Sequence, residues 1–384
     1  MARYSEFYKG RRKKRNMALV PFAVLLGIAS FLVVAFYGMQ KYAVISKDGV
    51  SVELPMLADG DTVLDSQGNE VRQFETVETE LVFDAPDYSR VKATAGENLS
   101  QMRAIFVPYE NLTEEKLDEY ASRLKVGNAL VLEMKPRTGQ LMWNSQAQAA
   151  VDYGLYTATE ATEALPGLIS ALKEETKSVY LVAQISCCID NIYASRSTSV
   201  ALRTAYGANY TDDEGTWLDP YNAELRSYVV QMVRELYAMG FDEVVLADVA
   251  HPVIEQTEEN SASIVYTREM SSTPNPVNAV CGFALSVAEQ LRDRDGALSI
   301  YVNSPTALVR ADEANGQDAT LFMKLYDRVY YPTDRSVYTY NVEDIDGSVT
   351  IGDVPSRFVP VLVNLLPENS ETMSWVLIDR VEED

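Results

Sequence analysis

From residue 101 onward, short runs of consecutive apolar residues alternate with stretches in which apolar positions recur every three or four residues. The runs are MRAIFVP, NALVLEM, VYLVAQI, EVVLADV, ALSIYVN, DRVYYP, RFVPVLVN and SWVLID. The intervening stretches TEEKLDEYASRLK, ALPGLISALKEETK, NAELRSYVVQMVRELYAMG, AVCGFALSVAEQLRDRD and QDATLFMK carry helical periodicity. Strands that read as unbroken apolar runs are buried on both faces, as in a parallel sheet covered by helices. Eight of them in about 280 residues predict an α/β fold, a (β/α)8 TIM-type barrel over residues 101–384. The last connection, LLPENSETM, is too short for a full helix. An open doubly wound sheet is the alternative, but no glycine-rich phosphate loop follows the first strand.

Upstream the pattern differs. AVISKDGVSVELP alternates about Lys47-Asp48-Gly49, which predicts a hairpin, and DTVLD and TELVFD read as further strands of a small β-rich stalk over residues 41–98. Earlier still, Met17 to Tyr37 is an uncharged apolar run, and about 20 such residues cross the hydrocarbon core of a bilayer. A transmembrane signal anchor over residues 17–38 is expected. Arg11-Arg12-Lys13-Lys14-Arg15 precedes it, so residues 1–16 form a basic cytoplasmic tail and the C-terminal domain is extracytoplasmic, a single-pass cell-membrane topology. The competing reading is a cleaved signal peptide, whose apolar region is usually shorter.

Charge sharpens this division. Residues 1–40 hold seven Lys or Arg against one acid, a net of +6, which leaves −29 of the chain's total of −23 for the remainder. So acidic a domain repels phosphate backbones, and nucleic acid is excluded as a partner. Three cysteines, Cys187, Cys188 and Cys281, are too few for a disulfide framework, and with one histidine in the chain no metal or cofactor is implied. Buried apolar thiols are expected, with a Cys188–Cys281 bridge as the alternative in an oxidising compartment.

Chemistry in such a barrel gathers at the C-terminal ends of the strands. Glu133 and Lys135 end the second strand, Asp190 follows the third, and Asp248 and His251 follow the fourth. Two residues apart, Glu133 and Lys135 share a strand face, either as an acid tuned by a nearby ammonium or as a plain ion pair. Asp219 and Tyr221 lie in Trp217-Leu218-Asp219-Pro220-Tyr221, where Asp219 before proline and a helix also reads as an N-terminal cap. The candidate catalytic residues are Glu133, Asp190 and Asp248, and the candidate substrate-binding residues are Lys135, Trp217, Asp219, Tyr221 and His251.

Trp217 to Tyr221, then Gly240-Phe241-Asp242-Glu243 and the strand ending Val249-Ala250-His251-Pro252, resemble a glycoside hydrolase family. It comprises barrel domains of bacterial exported and membrane-anchored proteins, with a W-x-D-P-Y motif, a helix, and G-F-D-E-I-x-F-D-Y-I-R-F-P. Asn128 to Lys135 resembles the family's N-a-v-V-i-D-v-K strand with Glu133 for its Asp, Gly139 its next glycine, Asp190 its acid after strand three, and Tyr331-Pro332 its sixth-strand Y-P. The likeness spans roughly residues 101–335. Laid without a gap, the family's strand-four Asp falls on Ala247, its Arg on Ala250, and the strand-three Arg on Gln184.

The resemblance implies a domain that acts on or binds a polysaccharide or cell-envelope glycan, by two carboxyl groups if it is active. Loss of the strand-four acid argues for weak or absent turnover with binding retained. A non-catalytic glycan-binding or envelope scaffold barrel is the alternative. A metal-dependent deacetylase lacks the histidines it needs. Asp248 adjoins the lost acid, but a slip of one residue turns a side chain to the opposite face unless a bulge intervenes.

Overall fold

The computed structural model describes short strands within residues 43–72, together with residues 88–95, 99–124, 128–174, 179–197, 199–204, 206–254, 264–265, 275–333, 354–364, 366 and 370–379. The chain divides into two compact units, Met1–Phe83 and Asp84–Asp384. In the first, β1 (Ala43–Ser46) pairs antiparallel with β2 (Gly49–Val52), Ser46 opposite Gly49, so the hairpin falls where the Asp-Gly signal places it. A second antiparallel pair joins β3 (Thr62–Leu64) to β4 (Glu70–Arg72). The expected strand TELVFD and the apolar segment 17–38 lie outside the described residues. Among the described residues no helix is long and apolar enough to cross a membrane.

The second unit is a closed barrel of eight parallel strands. They are β5 (Arg103–Val107), β6 (Ala129–Lys135), β7 (Tyr180–Ser186), β11 (Glu243–Ala247), β13 (Ala297–Tyr301), β14 (Arg328–Pro332), β15 (Phe358–Val363) and β16 (Trp375–Ile378), with β16 closing on β5. Short strands β8 (Arg203–Thr204), β9 (Thr211–Asp212) and β10 (Gly215–Thr216) decorate the β7 loop, and β12 (Ile264–Val265) pairs with β8. Helices α1 (Glu114–Ser122), α2 (Gln148–Asp152), α3 (Glu160–Lys173), α4 (Asn191–Arg196), α5 (Ala223–Ala238), α6 (Pro276–Gln290), α7 (Ala319–Leu325) and α8 (Val354–Arg357) follow the strands. No helix occurs in the described part of the β15–β16 connection, and the barrel closes without one.

Two apolar layers result from the strand alternation. Outward residues such as Leu130, Leu181, Val244 and Ile300 join Leu225, Val229 and Phe283 of the helices in one large core. Inward residues, among them Val131, Val182, Val245, Ala247, Tyr301 and Tyr330, form a separate cluster inside the barrel. Below it, at the N-terminal ends of the strands, Glu243 is fully buried against Arg328 and accepts from Ser299 Oγ at 2.6 Å, Tyr330 Oη at 2.8 Å and Tyr180 Oη at 3.0 Å. This satisfied network closes the floor, so chemistry is left to the opposite mouth.

Candidate functional site at the barrel mouth

Glu133 occupies the last inward position of β6, in register with Gln184 of β7. Its Oε2 accepts the backbone N–H of Tyr109 at 3.2 Å. Burial raises its carboxyl above the usual Glu range, and the charges of Glu110 and Asp248 push the same way, against the Tyr109 N–H and the Arg137 guanidinium. The Gln184 carbonyl oxygen beside it accepts no hydrogen bond from a described residue.

Asp248 reaches the same mouth by an unusual backbone. Strand β11 ends at Ala247, which faces the barrel interior, and Asp248 then takes φ of 55°, in the left-handed region. Arg137 grips its carboxylate, with Nε 3.1 Å from both oxygens and Nη2 2.8 Å from Oδ1. The same guanidinium pairs with Glu214. Tyr301, inward on β13, is buried, and burial raises its phenol further above the usual range than the charges of Asp248 and Glu133 do. Glu133, Asp248, Arg137 and Tyr301 therefore converge at one mouth.

Other candidates have different duties, and several expectations are corrected. Glu133 and Lys135 do not pair: the register slips between them, so Lys135 faces away from Glu133 and points toward Asp190. Lys135 Nζ lies 2.8 Å from Asp190 Oδ2 and donates to Ser186 O at 2.7 Å, with both ionic side chains 1% exposed. Asp190 also caps α4 by accepting from Tyr193 N at 2.7 Å. Glycine is required at position 139, because at its φ of 89° a Cβ would stand 1.9 Å from Asp190 Oδ1.

The W-x-D-P-Y segment is held by contacts within the barrel domain. Trp217 bridges to Ile189, donates its indole N–H to Asp212 Oδ2 at 2.8 Å and is 7% exposed. Asp219 is fully buried and accepts from Tyr221 N at 2.8 Å, whereas the cap of α5 is Asn222, which accepts from Glu224 N and Leu225 N. Tyr221 Oη donates to Asn275 O at 3.4 Å. His251 is buried, its Nδ1–H donates to Pro252 O at 2.9 Å, and burial lowers it to about 4. In the G-F-D-E block, Asp242 accepts from Lys173 and from Leu181 N, and Glu243 belongs to the floor. The three cysteines are free and buried, Cys188 and Cys281 pushed up to about 12 by burial.

Sequence reasoning missed Arg137 and Tyr301. Arg137 stands in Lys135-Pro136-Arg137-Thr138-Gly139, directly after a strand end, which is where barrel chemistry collects. A cavity of about 730 Å³ lies at the other end of the barrel, lined by Tyr180, Tyr237, Asp242, Arg294 and Asp327 among others. Its position at the N-terminal ends of the strands sets it apart from the carboxylate mouth.

The family DUF4015, described as "Putative glycosyl hydrolase domain", matches residues 104–348. No curated protein sequence matches the chain. The glycoside hydrolase domain of PgaB (BpsB) from Bordetella bronchiseptica is similar in structure, with a TM-score of 0.50 at 12% identity over 73% of this chain and 94% of that one. A hypothetical protein from Ruminiclostridium thermocellum has a TM-score of 0.43 at 19% identity, over 51% of this chain and 96% of that one. The glycoside hydrolase domain of a PelA variant from Pseudomonas aeruginosa has a TM-score of 0.37 at 13% identity, over 73% and 95%. At these identities the likeness to the Bordetella domain is one of fold.

Proposed function

This chain belongs to the DUF4015 family of glycosyl hydrolase domains, and on that premise we propose that it holds a polysaccharide across the barrel mouth and protonates it from Glu133. The observation that carries this is the convergence of two carboxyl groups in unlike settings. Glu133 is desolvated and favours its proton, while the Asp248 carboxylate is held by a guanidinium. A desolvated carboxyl that favours its proton suits the role of donor to a glycosidic oxygen. Gln184 on β7, the strand between β6 and β11, offers a side-chain carbonyl oxygen to a sugar.

A second reading is a binding barrel without turnover. It is favoured by Ala247 at the inward position of β11 and by the Arg137 grip on both oxygens of Asp248, which leaves no free carboxylate to attack. Screening the full chain against a panel of bacterial envelope polysaccharides, for both binding and released reducing ends, separates the two. Binding with release supports the first reading and binding alone the second. Failure to bind any member overturns both.

The acidic charge and the basic flank of segment 17–38 support placing this domain outside the cell on a membrane anchor. Protease added to intact cells is then expected to remove the barrel and spare the N-terminal tail. A soluble mature protein beginning near residue 40 would exclude the anchor.

A further inference from the structure

We propose that Arg137 is the positioning residue of the mouth: by gripping Asp248 in its left-handed backbone conformation, it brings to Glu133 a carboxylate that the strand register alone would turn away. The purpose of this arrangement rests on the glycan reading above, but its geometry does not. Side chains alternate along a strand, so the residue after inward Ala247 belongs on the helix-facing side. The φ of 55° breaks that alternation and redirects Asp248.

Such a backbone is uncommon outside glycine, and it persists where its surroundings over-determine it. Here they do so at both ends of the residue. Cys188 N–H donates to Asp248 O at 3.2 Å, and Arg137 makes the three contacts to the carboxylate. Arg137 is itself fixed. Its carbonyl accepts from Asn191 N at 3.4 Å, Gly139 N closes the following turn onto Pro136 O at 2.9 Å, and Glu214 takes Nη1. Lys135, at the same strand end, is engaged by Asp190 instead. The charged and polar groups facing Glu133 are then Glu110 and the Tyr109 N–H from the β5 loop, Arg137 from the β6 loop, and Asp248 from the β11 end. Tyr301 faces both carboxyls from β13, and Asp212 adds its charge beside Arg137.

The test is a double-substitution cycle read at Glu133. In the full-length chain in detergent, a diazo amide that esterifies only protonated carboxyls is applied across pH, and peptide mass spectrometry gives the midpoint for Glu133. Asp248→Asn removes the charge but keeps a residue that tolerates the left-handed backbone. In the wild-type background it is expected to lower the Glu133 midpoint. In the Arg137→Gln background it is expected to leave the midpoint unmoved, because Asp248 has already left. An equal shift in both backgrounds would show that Asp248 stays without Arg137, and no shift in either would show that it never stood beside Glu133. Both results overturn the proposal. Arg137→Lys keeps the charge but loses the fork, and an intermediate shift is expected. Should Arg137→Gln fail to fold, an undiminished shift in the lysine variant overturns the proposal instead. The readout needs no glycan, so a failure of glycan binding leaves it intact.

Discussion

Lys135 and Asp190 meet as a buried ion pair: Nζ and Oδ2 stand 2.8 Å apart, each side chain 1% exposed. Both read from sequence as site residues, yet each satisfies the other. Removing one partner strands an uncompensated charge in the interior. Lys135→Met and Asp190→Asn are each expected to destabilise the barrel by about 3–5 kcal/mol in chemical unfolding. A loss under about 1 kcal/mol, the range of an exposed pair, would show that water reaches them.

His251 makes the chain acid-sensitive in a defined window. Its folded value is lowered to about 4, mainly by burial, against 6.5 for the ordinary imidazole. The unfolded chain therefore binds a proton that the folded chain refuses as pH falls from about 6.5 to 4. Stability is expected to drop across that window by up to about 3 kcal/mol, and His251→Gln to flatten the slope there. Unfolding midpoints of both proteins at several pH values check this, and because the chain has one histidine no other imidazole contributes.

Glu133 has the opposite linkage. Its folded value is raised, first by burial, so the folded chain keeps a proton at pH values where the unfolded chain has released it. Stability falls as pH rises through that interval, and the cost of the buried charge is complete above the folded value. Glu133→Gln keeps an acceptor for the Tyr109 N–H and carries no charge. Its melting temperature is expected to exceed that of the wild type at neutral pH and to match it below about pH 4. Equal melting temperatures at every pH would show that Glu133 is not desolvated.

All eight barrel strands were legible because most of their residues are buried on both faces, which leaves unbroken apolar runs in the sequence. That the described part of the β15–β16 connection holds no helix was no obstacle, since β16 pairs with both β15 and β5. Glu133 was legible as a strand-end acid. The role of Asp248 was not, because one backbone angle decides it and hydrophobic periodicity carries no trace of a single φ. Lys135 was misplaced for a similar reason, a register slip between Glu133 and its neighbour two residues on. Trp217 and Asp219 looked like ligand contacts by residue type, but the segment they share forms a strand bridge and a turn leading into the Asn222 cap.

The most direct test of Glu133 as proton donor is turnover by Glu133→Gln on whichever polysaccharide the wild type cleaves. Loss of a general acid costs roughly 10²–10⁴-fold. Release of reducing ends is expected to fall into that range while the polysaccharide still binds within a few-fold of the wild type, since the amide keeps the shape of the mouth. Turnover by Glu133→Gln equal to that of the wild type would contradict the account.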